Sequence, residues 1–413
     1  MATMITASQL LNVEFCGLQL KNPFILASAP PTTTGEMIMR AFDAGWAGAI
    51  IKTLVPEGEP VANVAPRLAS LNYEKKRMAV LQNIELTTDR GLKVWLKEMG
   101  QIKKRYPSHI VIGSIMAAGS VKKDWQELTR RVQDAGADMI ECNLGCPHGM
   151  PERGMGSVCS QDPEITKHIA QWVKDVARIP VMIKLTPNIT DIKVTAKAAQ
   201  AGGANAISAI NTVAGLIGVD LDTTEPFPSV NGFSTYGGCS GPGMKPIALR
   251  AVCEIFKSTH CPVSGIGGVS SWRDAAEFIL LGATTVQVCT AVMHWGYRII
   301  DDLCEGLANY MEDHQFGSIA EMVGLAAQKM TTHESLSRSY RLVSTIDKDL
   351  CIGCGLCHIS CNDAAYQAIK WDAKKREPSV DEERCVGCGL CSHVCPIDEC
   401  IVLRESKVPL KKK

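Results

Sequence analysis

The sequence Asp-Met-Ile-Glu-Cys-Asn-Leu-Gly-Cys-Pro-His-Gly, residues 138 to 149, is an apolar run that ends abruptly in a loop. The run predicts a buried strand, and Gly145 and Pro147 bracket a thiol in the loop. Proline fixes its own φ and keeps the preceding residue out of the α region, so we expect Cys146 in a fixed, extended conformation. The loop therefore predicts a positioned, reactive thiol. The alternative is that Cys146 is a small buried apolar residue, as many free cysteines are.

An apolar run, a turn, an amphipathic helix and a small-residue stop recur from residue 24 to residue 311. Glycines close several of the helices, at Gly45, Gly136, Gly202 and Gly282, as C-caps do. Near-continuous apolar strands that alternate with helices indicate an α/β fold with a parallel sheet, and eight such units fit a closed (β/α)8 TIM barrel better than an open doubly wound sheet. The strands are predicted at 24–29, 49–53, 110–116, 138–144, 181–185, 206–211, 263–267 and 285–290. The helices are predicted near 36–44, 91–106, 124–135, 163–177, 191–201, 246–258, 272–281 and 297–311.

A barrel of this kind carries its function at the carboxyl ends of its strands. Polar and small residues occupy these ends: Ala27, Ser28, Lys52, Asn143, Cys146, Lys184, Asn211, Thr212, Gly267, Gly268, Cys289 and Thr290. Lys52 and Lys184 end otherwise apolar strands, where an unpaired ammonium group would be costly. We expect each lysine to meet an anion or an electron-rich ring, the alternative being a buried carboxylate partner.

Glycines after the seventh strand, in Gly265-Ile266-Gly267-Gly268, precede the helix predicted at Trp272. Backbone N–H groups and a helix N-terminus there can bind a phosphate. Together with Ser240, Gly241 and Thr290, they match the phosphate site that this barrel forms after strands seven and eight. No strand–Gly-x-Gly-x-x-Gly–helix unit and no Walker motif occurs, so a nicotinamide or ATP site has no support. The simplest cofactor for this pocket is FMN.

The overall composition excludes several classes of protein. The chain has 413 residues, 46% of them apolar, so it can bury a large core. Its 43 basic and 43 acidic residues balance, so we expect neither a nucleic-acid nor a membrane partner, and only residues 411–413 are locally basic. Residues 1–20 contain no Lys or Arg and no sustained apolar run, so we expect neither a signal peptide nor a membrane anchor there. Because 18 cysteines occur in a long chain that shows no secretory signal, we expect metal-bound thiols in a reducing, cytoplasmic setting.

Eight cysteines form two short runs near the C-terminus. The ligands expected from these runs are Cys351, Cys354, Cys357, Cys361, Cys385, Cys388, Cys391 and Cys395. The spacing is that of bacterial ferredoxins, in which three cysteines of one run and the fourth of the other hold each [4Fe–4S] cluster. Structural zinc instead prefers two separated pairs. Asn362 follows the first run where proline is expected, which leaves the local turn open, and Cys400 lies outside both runs and is not an expected ligand.

The polar segment 331–335 separates the two patterns. We expect the barrel at residues 1–312, a helical linker at 313–340 and an α+β, ferredoxin-like 2[4Fe–4S] domain at 341–413.

The chain resembles a known family over nearly its whole length. Residues 143–150, 184–188 and 211–215, which read Asn-Leu-Gly-Cys-Pro-His-Gly-Met, Lys-Leu-Thr-Pro-Asn and Asn-Thr-Val-Ala-Gly, look like the FMN domain shared by dihydropyrimidine and dihydroorotate dehydrogenases. The two cysteine runs point to the catalytic, iron–sulfur subunits of bacterial NAD-dependent dihydropyrimidine dehydrogenases. This resemblance implies a partner flavoprotein subunit that carries NAD and FAD, in a hetero-oligomer such as a heterotetramer.

The same resemblance implies roles for individual residues. Cys146 falls on the proton donor and acceptor. The positions that hold the pyrimidine correspond to Asn83, Glu85, Asn143, Asn211 and Thr212. The flavin contacts correspond to Ala27, Ser28, Lys52, Lys184, Ser240, Gly241, Gly267, Gly268, Cys289 and Thr290. Gly145 stands where eukaryotic relatives have serine, so one substrate hydrogen bond is expected to be absent.

The implied activity is reversible reduction of the 5,6 double bond of uracil or thymine. The hydride would come from reduced FMN, the proton from Cys146, and the electrons through two [4Fe–4S] clusters. Asn amides suit this substrate because each offers a donor and an acceptor in one plane to the alternating N–H and C=O groups of the pyrimidine edge. Two alternatives remain: an iron–sulfur dihydroorotate dehydrogenase, and an electron-carrying ferredoxin protein without catalysis of its own.

The two cysteine runs predict about eight iron atoms per chain, because together they imply two [4Fe–4S] clusters. Iron and acid-labile sulfide analysis of the anaerobically purified protein measures this number. A single metal atom per chain, or zinc in place of iron, would contradict the ferredoxin interpretation.

Overall fold

The computed structural model describes residues 10–58, 61–73 and 76–406, with the side chain of Lys76 left out. Two compact units divide the chain, the first ending at Met330 and the second beginning at Thr331. This division falls inside the expected linker at 313–340. The first unit extends past residue 312 because the short helix Ile319–Met322 is buried in it. The locally basic tail at 411–413 lies outside the described residues.

The first unit is a closed barrel of parallel strands in which each strand pairs with its neighbours in the sequence and the eighth pairs with the first. The barrel strands are Phe24–Leu26, Gly48–Ile50, Ile110–Ile115, Met139–Asn143, Val181–Lys184, Ala206–Ala209, Val263–Ile266 and Ala283–Val288. Nearly every residue of these strands is buried, since helices cover the outside and side chains fill the inside. The predicted (β/α)8 fold is confirmed.

Helices connect successive strands on the outside of the barrel. Their bounds are Gly35–Ala44, Leu92–Arg105, Lys122–Asp134, Pro163–Lys174, Ile192–Ala201, Lys245–Ser258, Trp272–Leu280 and Ile299–Asp313. Gly45 and Gly282 end two of them, with φ of 116° at each, where residues with a side chain are strained. Shorter helices, Ser157–Gln161 and Thr290–Trp295, were not predicted. Among the described residues, no helix is long and apolar enough to cross a membrane.

Extra strands cover both ends of the barrel, and the sequence pattern did not predict them. At the amino end, Val13–Phe15 pairs with Leu18–Leu20 in a tight hairpin that buries Phe15. Above the carboxyl ends lies a four-stranded antiparallel sheet. Its strands, in spatial order, are Val213–Gly215, Gly237–Ser240, Lys76–Asn83 and Leu68–Tyr73. This second sheet brings residues from two distant loops, those after barrel strands two and six, over the mouth of the barrel.

The second unit is a small α+β domain made of two similar halves. Leu342–Ile346 pairs with Ile401–Glu405, and Ile369–Asp372 pairs with Glu377–Val380, both antiparallel. The helices Leu356–Ala364 and Leu390–Val394 follow the cysteine-rich loops. The first helix continues past Cys361 because Asn362, unlike the expected proline, is compatible with a helix interior, whereas the second ends before Cys395-Pro396.

Candidate active site

A cleft of about 1090 Å³, measured to its open mouth, lies at the carboxyl ends of the barrel strands beneath the four-stranded sheet. Every barrel residue that the sequence analysis selected lines this cleft. Further lining residues, which the sequence analysis did not select as site residues, include Thr53, Leu81, Leu86, His148, Ile210, Gln287 and Met293. Closure of the barrel thus brings together side chains that are more than two hundred residues apart.

At the glycine-rich end of the cleft, the backbone conformation and packing require glycine. Gly267 and Gly268 have φ of 133° and 84°, in the region that favours glycine. A Cβ at Gly268 would lie 2.8 Å from the backbone nitrogen of Lys245, so no larger residue fits there without a shift. Thr290 Oγ1 donates to Ser240 Oγ at 2.9 Å, and Ser240 Oγ donates to the carbonyl of Leu81 at 3.2 Å. Backbone and hydroxyl donors are therefore assembled where a phosphate is expected.

The helix N-terminus at Trp272 contributes less than predicted. Asp274 Oδ2 accepts from the N–H groups of Ser270 and Ser271, each at 2.9 Å, and the Ser271 hydroxyl caps Asp274 N–H. These donors are already satisfied by a capping box, and the carboxylate places a negative charge at that end. The N–H groups of Ser270, Ser271 and Asp274 are therefore used within the protein, so the prediction of a phosphate site here depends mainly on the glycine backbone.

Both cleft lysines have carboxylate partners, the alternative considered from the sequence. Lys52 Nζ lies 3.1 Å from Glu85 Oε2, and both side chains are at least nine-tenths buried. Lys184 Nζ lies 3.9 Å from Glu141 Oε1, and Glu141 is fully buried. Burial raises the pKa of Glu141, and Lys184 opposes this shift by favouring the carboxylate. Neither ammonium group is unpaired, so an anion is not required to explain its position.

Two asparagines at the ends of strands four and six are joined directly. Asn211 Nδ2 donates to Asn143 Oδ1 at 2.8 Å, and the same oxygen accepts from the N–H of Gly145 at 3.2 Å. Asn143 Nδ2 donates to Thr53 Oγ1 at 2.9 Å. The amide planes are therefore held by the protein itself, with one N–H of each amide used in these bonds.

Gly145 is required by this packing. A Cβ at this position would lie 2.4 Å from Asn211 Cβ and 2.6 Å from Asn211 Nδ2. A serine there would displace the Asn211 side chain, so the glycine affects the shape of the site as well as removing a hydroxyl group.

Thr53 is the centre of a hydroxyl network that the sequence analysis missed. Its Oγ1 lies 3.1 Å from Ser28 Oγ and 3.0 Å from Ser114 Oγ, besides accepting from Asn143. Ser114 Oγ in turn donates to Glu141 Oε1 at 3.2 Å. A continuous chain of hydrogen bonds thus runs from the cleft to the buried carboxylate. The signal available in the sequence was the position of Thr53, directly after Lys52 at a strand end.

Asn83 and Thr212 reach the cleft from the covering sheet and from the loop after strand six. Asn83 Nδ2 donates to the carbonyl of Gly238 at 3.1 Å. A Cβ at Gly238 would lie 2.1 Å from Thr212 Oγ1, so this glycine is needed for the close approach. The covering sheet therefore positions both residues.

Cys146 lines the cleft beside His148. The Cys146 thiol donates to the carbonyl of His148 at 3.5 Å. Burial raises the pKa of Cys146, while the His148 backbone and Lys52 oppose the shift. His148 Nε2 donates to the carbonyl of Glu85 at 3.0 Å, and burial lowers the pKa of this imidazole, so His148 is neutral with its proton on Nε2. The geometry holds a protonated thiol at the edge of the cleft.

In the second unit, the eight expected ligands divide between two apolar cavities. Cys351, Cys354, Cys357 and Cys395 line one, and Cys361, Cys385, Cys388 and Cys391 line the other. This is the interleaving expected of two [4Fe–4S] clusters, with three thiols from one run and the fourth from the other.

Paired glycines shape the two cysteine loops in the same way. Gly353 and Gly355 in the first loop, and Gly387 and Gly389 in the second, have φ between 64° and 83°. A Cβ at Gly387 would lie 2.5 Å from the carbonyl of Leu342, which explains why glycine is needed there. The cavities, the donor set and the tight loops therefore fit iron–sulfur clusters.

Comparison with known proteins agrees with this geometry. Residues 10–311 match the family model described as dihydroorotate dehydrogenase, and residues 344–403 match that of the 4Fe-4S dicluster domain. The chain is 45% identical over 403 residues to the NAD-dependent dihydropyrimidine dehydrogenase subunit PreA of Escherichia coli strain K12, with 96% of each chain covered. The chain belongs to the dihydropyrimidine dehydrogenase family.

Other relatives share parts of the chain. The chloroplastic dihydropyrimidine dehydrogenase (NADP(+)) of Arabidopsis thaliana is 44% identical over 337 residues, which cover 79% of each chain. The dihydroorotate dehydrogenase B (NAD(+)) catalytic subunit of Pyrococcus horikoshii is 36% identical over 318 residues, 77% of this chain and 98% of its own. Membership of the dihydropyrimidine dehydrogenase family therefore extends over the barrel and the cluster domain together.

In this member of the dihydropyrimidine dehydrogenase family, Glu141→Ala should lower the free energy of unfolding by about 3–5 kcal/mol, because it leaves the buried Lys184 ammonium without its partner. Denaturant unfolding followed by circular dichroism measures the loss. Lys122→Ala is the matched control, since its pair with Asp175 is exposed and should contribute below about 1 kcal/mol. Equal, small losses in both variants would show that Glu141 does not stabilise Lys184.

Proposed function

We propose that this protein is the catalytic subunit of a dihydropyrimidine dehydrogenase, reducing the 5,6 double bond of uracil or thymine and running in reverse when dihydropyrimidine is in excess. The observation that carries the proposal is the cleft itself, in which a protonated Cys146 and the joined amides of Asn143 and Asn211 meet at one rim. FMN, when bound, supplies the hydride.

The amide groups suit a neutral pyrimidine. Each of Asn83, Asn143 and Asn211 has two N–H donors, and the hydrogen bonds within the protein use one of them. The remaining donors can bind the carbonyl groups of the ring. The Glu85 carboxylate pairs with Lys52 at 3.1 Å and with Arg67 at 3.7 Å. Its two oxygens offer more acceptor sites than these two cations use, so it can accept a ring N–H. A substrate lacking these groups would leave buried polar atoms unpaired and bind weakly.

The charge of the cleft favours a dihydropyrimidine over dihydroorotate. A carboxylated substrate needs a cation that is free to pair with it. Among the described residues, the lysines and arginines that line the cleft are Lys52 and Lys184, and each is already paired with a glutamate. The nearby Arg67 also pairs with Glu85, at 3.7 Å. Binding a further carboxylate there would crowd negative charges at a site of low dielectric constant.

Cys146 is proposed as the residue that delivers and removes the ring proton. Because burial raises its pKa, the thiol is protonated at neutral pH and ready to protonate the ring carbon that does not receive the hydride. In the reverse reaction the same sulfur must accept a proton as thiolate, which its raised pKa makes less populated. Lys52 lowers that cost by favouring the thiolate.

The FMN contacts are proposed from the donors around the cleft. Gly267, Gly268, Ser240 and Thr290 would hold the phosphate. Lys52, Lys184, Ala27, Ser28, Gly241 and Cys289 would line the remainder of the cofactor. The two clusters of the second unit would carry electrons to and from a flavoprotein subunit with NAD and FAD. The Escherichia coli relative is described as a subunit, and this chain has no dinucleotide fingerprint, which supports that partner. Rapid reduction of uracil by NADH with this chain alone would show that no flavoprotein partner is needed.

Cys146→Ala should lower turnover about 10²–10⁴-fold, the range for loss of a general acid, with FMN and clusters retained. Cys146→Ser should also be slow, because an alcohol releases its proton far less readily than a thiol. The measurement is turnover normalised to bound flavin, with uracil binding determined separately.

The matched control is Cys159→Ala, which removes a buried thiol outside the cleft and should cost about 1 kcal/mol of stability without slowing turnover of the folded protein. Near wild-type rates in both Cys146 variants would remove this thiol from the mechanism.

The two directions should depend on pH with opposite signs. Reduction needs the thiol and oxidation needs the thiolate, so with a raised Cys146 pKa the reduction rate should be flat across neutral pH and fall in the alkaline range, while the oxidation rate should rise there. Single-turnover flavin kinetics in both directions measure these profiles. A reduction rate that increases as pH rises through neutrality would contradict the assignment.

A further inference from the structure

The two cluster cavities are not equivalent. The cavity lined by Cys351, Cys354, Cys357 and Cys395 is also lined by Cys400, which lies outside the repeated cysteine spacing. The other cavity has only the four expected thiols among the described residues, and Ser344 occupies part of its wall. One cavity therefore holds a fifth sulfur atom, and its counterpart has a hydroxyl group instead.

The backbone holds Cys400 firmly in this position. Asp347 N–H donates to the Cys400 carbonyl at 2.8 Å, and Cys400 N–H donates to the carbonyl of Ile397 at 3.4 Å. The next residue, Ile401, begins a strand and pairs with Ile346. Glu399, with φ of 61°, makes the turn just before it. Cys400 as a whole is 2% exposed, and it lines the cavity.

Cys400 lies in the buried cluster against which two of the expected ligands, Cys351 and Cys395, pack. All three cysteines line the same cavity, and the Cys400 thiol donates a hydrogen bond to the carbonyl oxygen of Asp347 at 3.7 Å. A cysteine sulfur in this position has the chemistry of a cluster ligand and lies next to two ligands already in place.

We propose that Cys400 is a reserve ligand of the first cluster, which replaces Cys395 when that thiolate is lost. In the exchange, the iron–sulfur bond to residue 395 is absent, a bond from iron to Cys400 sulfur forms, and the Cys400 proton leaves to solvent. No electron is transferred, and the number of thiolate ligands stays at four. The proposal concerns the cluster domain and does not depend on the pyrimidine chemistry of the barrel.

The second cavity provides the internal comparison. Ser344 Oγ lies 3.0 Å from Cys391 Sγ, and Cys385 Sγ lies 4.0 Å from the same hydroxyl. Cys thiolates are the usual ligands of such clusters, and an alcohol releases its proton far less readily than a thiol, so this cavity has no comparable substitute for a lost cysteine. Loss of Cys361 and loss of Cys395, which are equivalent positions in the two runs, should therefore have different consequences.

The test is iron analysis of the full-length protein, purified anaerobically as Cys395→Ala, Cys361→Ala, Cys400→Ala and the double variant Cys395→Ala/Cys400→Ala. We expect about eight irons per chain for Cys395→Ala and Cys400→Ala, and about four for Cys361→Ala and the double variant. Electron paramagnetic resonance of the dithionite-reduced proteins should show two interacting clusters in the first pair and one in the second.

Two results would overturn the proposal. The first is a fall to about four irons in Cys395→Ala, as in Cys361→Ala. The second is about seven irons in Cys395→Ala with a three-iron signal in the oxidised protein, since this means that one iron was left without a ligand. If Cys395→Ala does not fold, Cys395→Val, which offers no ligand atom, is compared in the same way with Cys361→Val.

Discussion

Closure of the parallel barrel, by pairing of Ala283–Val288 with Phe24–Leu26, is the constraint on which the site depends. Only closure puts the carboxyl ends of all eight strands on one rim, so that Ser28 and Thr290 line the same cleft. The covering sheet can form only above this rim, because its strands lie in loops that closure of the barrel brings close together. A substitution at one strand end can therefore displace a side chain at another. For example, a side chain at Gly145 would displace Asn211.

The interior of the barrel adds a second constraint. Polar residues of neighbouring strands lie side by side in register, Ser114 beside Glu141 and Ser208 beside Ser264, at levels where an apolar layer would be expected. Gln287 Nε2 donates to both Ser208 and Ser264 at 2.9 Å, and Glu141 faces Lys184. Buried polar groups are stable only when they are bonded to one another. This network therefore holds the cleft lysine from below, where no solvent can replace a lost partner.

The strand and helix pattern was predictable from the sequence because closed parallel barrels repeat one strongly periodic unit, and the rim residues followed from where the strands end. The covering sheet was not predictable, since Leu68–Tyr73 is largely exposed and lacks the alternation that marks a half-buried strand. The carboxylate partners of the two lysines could not be identified for a related reason: Glu141, for example, lies in a strand with both faces buried, so the sequence does not reveal which side chain it meets. Asn83 was selected only by family resemblance, as a single asparagine is more often a turn residue.

The central claim is that this cleft exchanges a hydride between a dihydropyrimidine and a bound flavin. The most direct measurement is the flavin absorbance of the anaerobic, oxidised protein during addition of dihydrouracil, with dihydroorotate added to a second sample. The account predicts bleaching of the flavin band by dihydrouracil and an unchanged band with dihydroorotate, because both cleft lysines are already paired with glutamates. Bleaching by dihydroorotate while dihydrouracil leaves the band unchanged would contradict it.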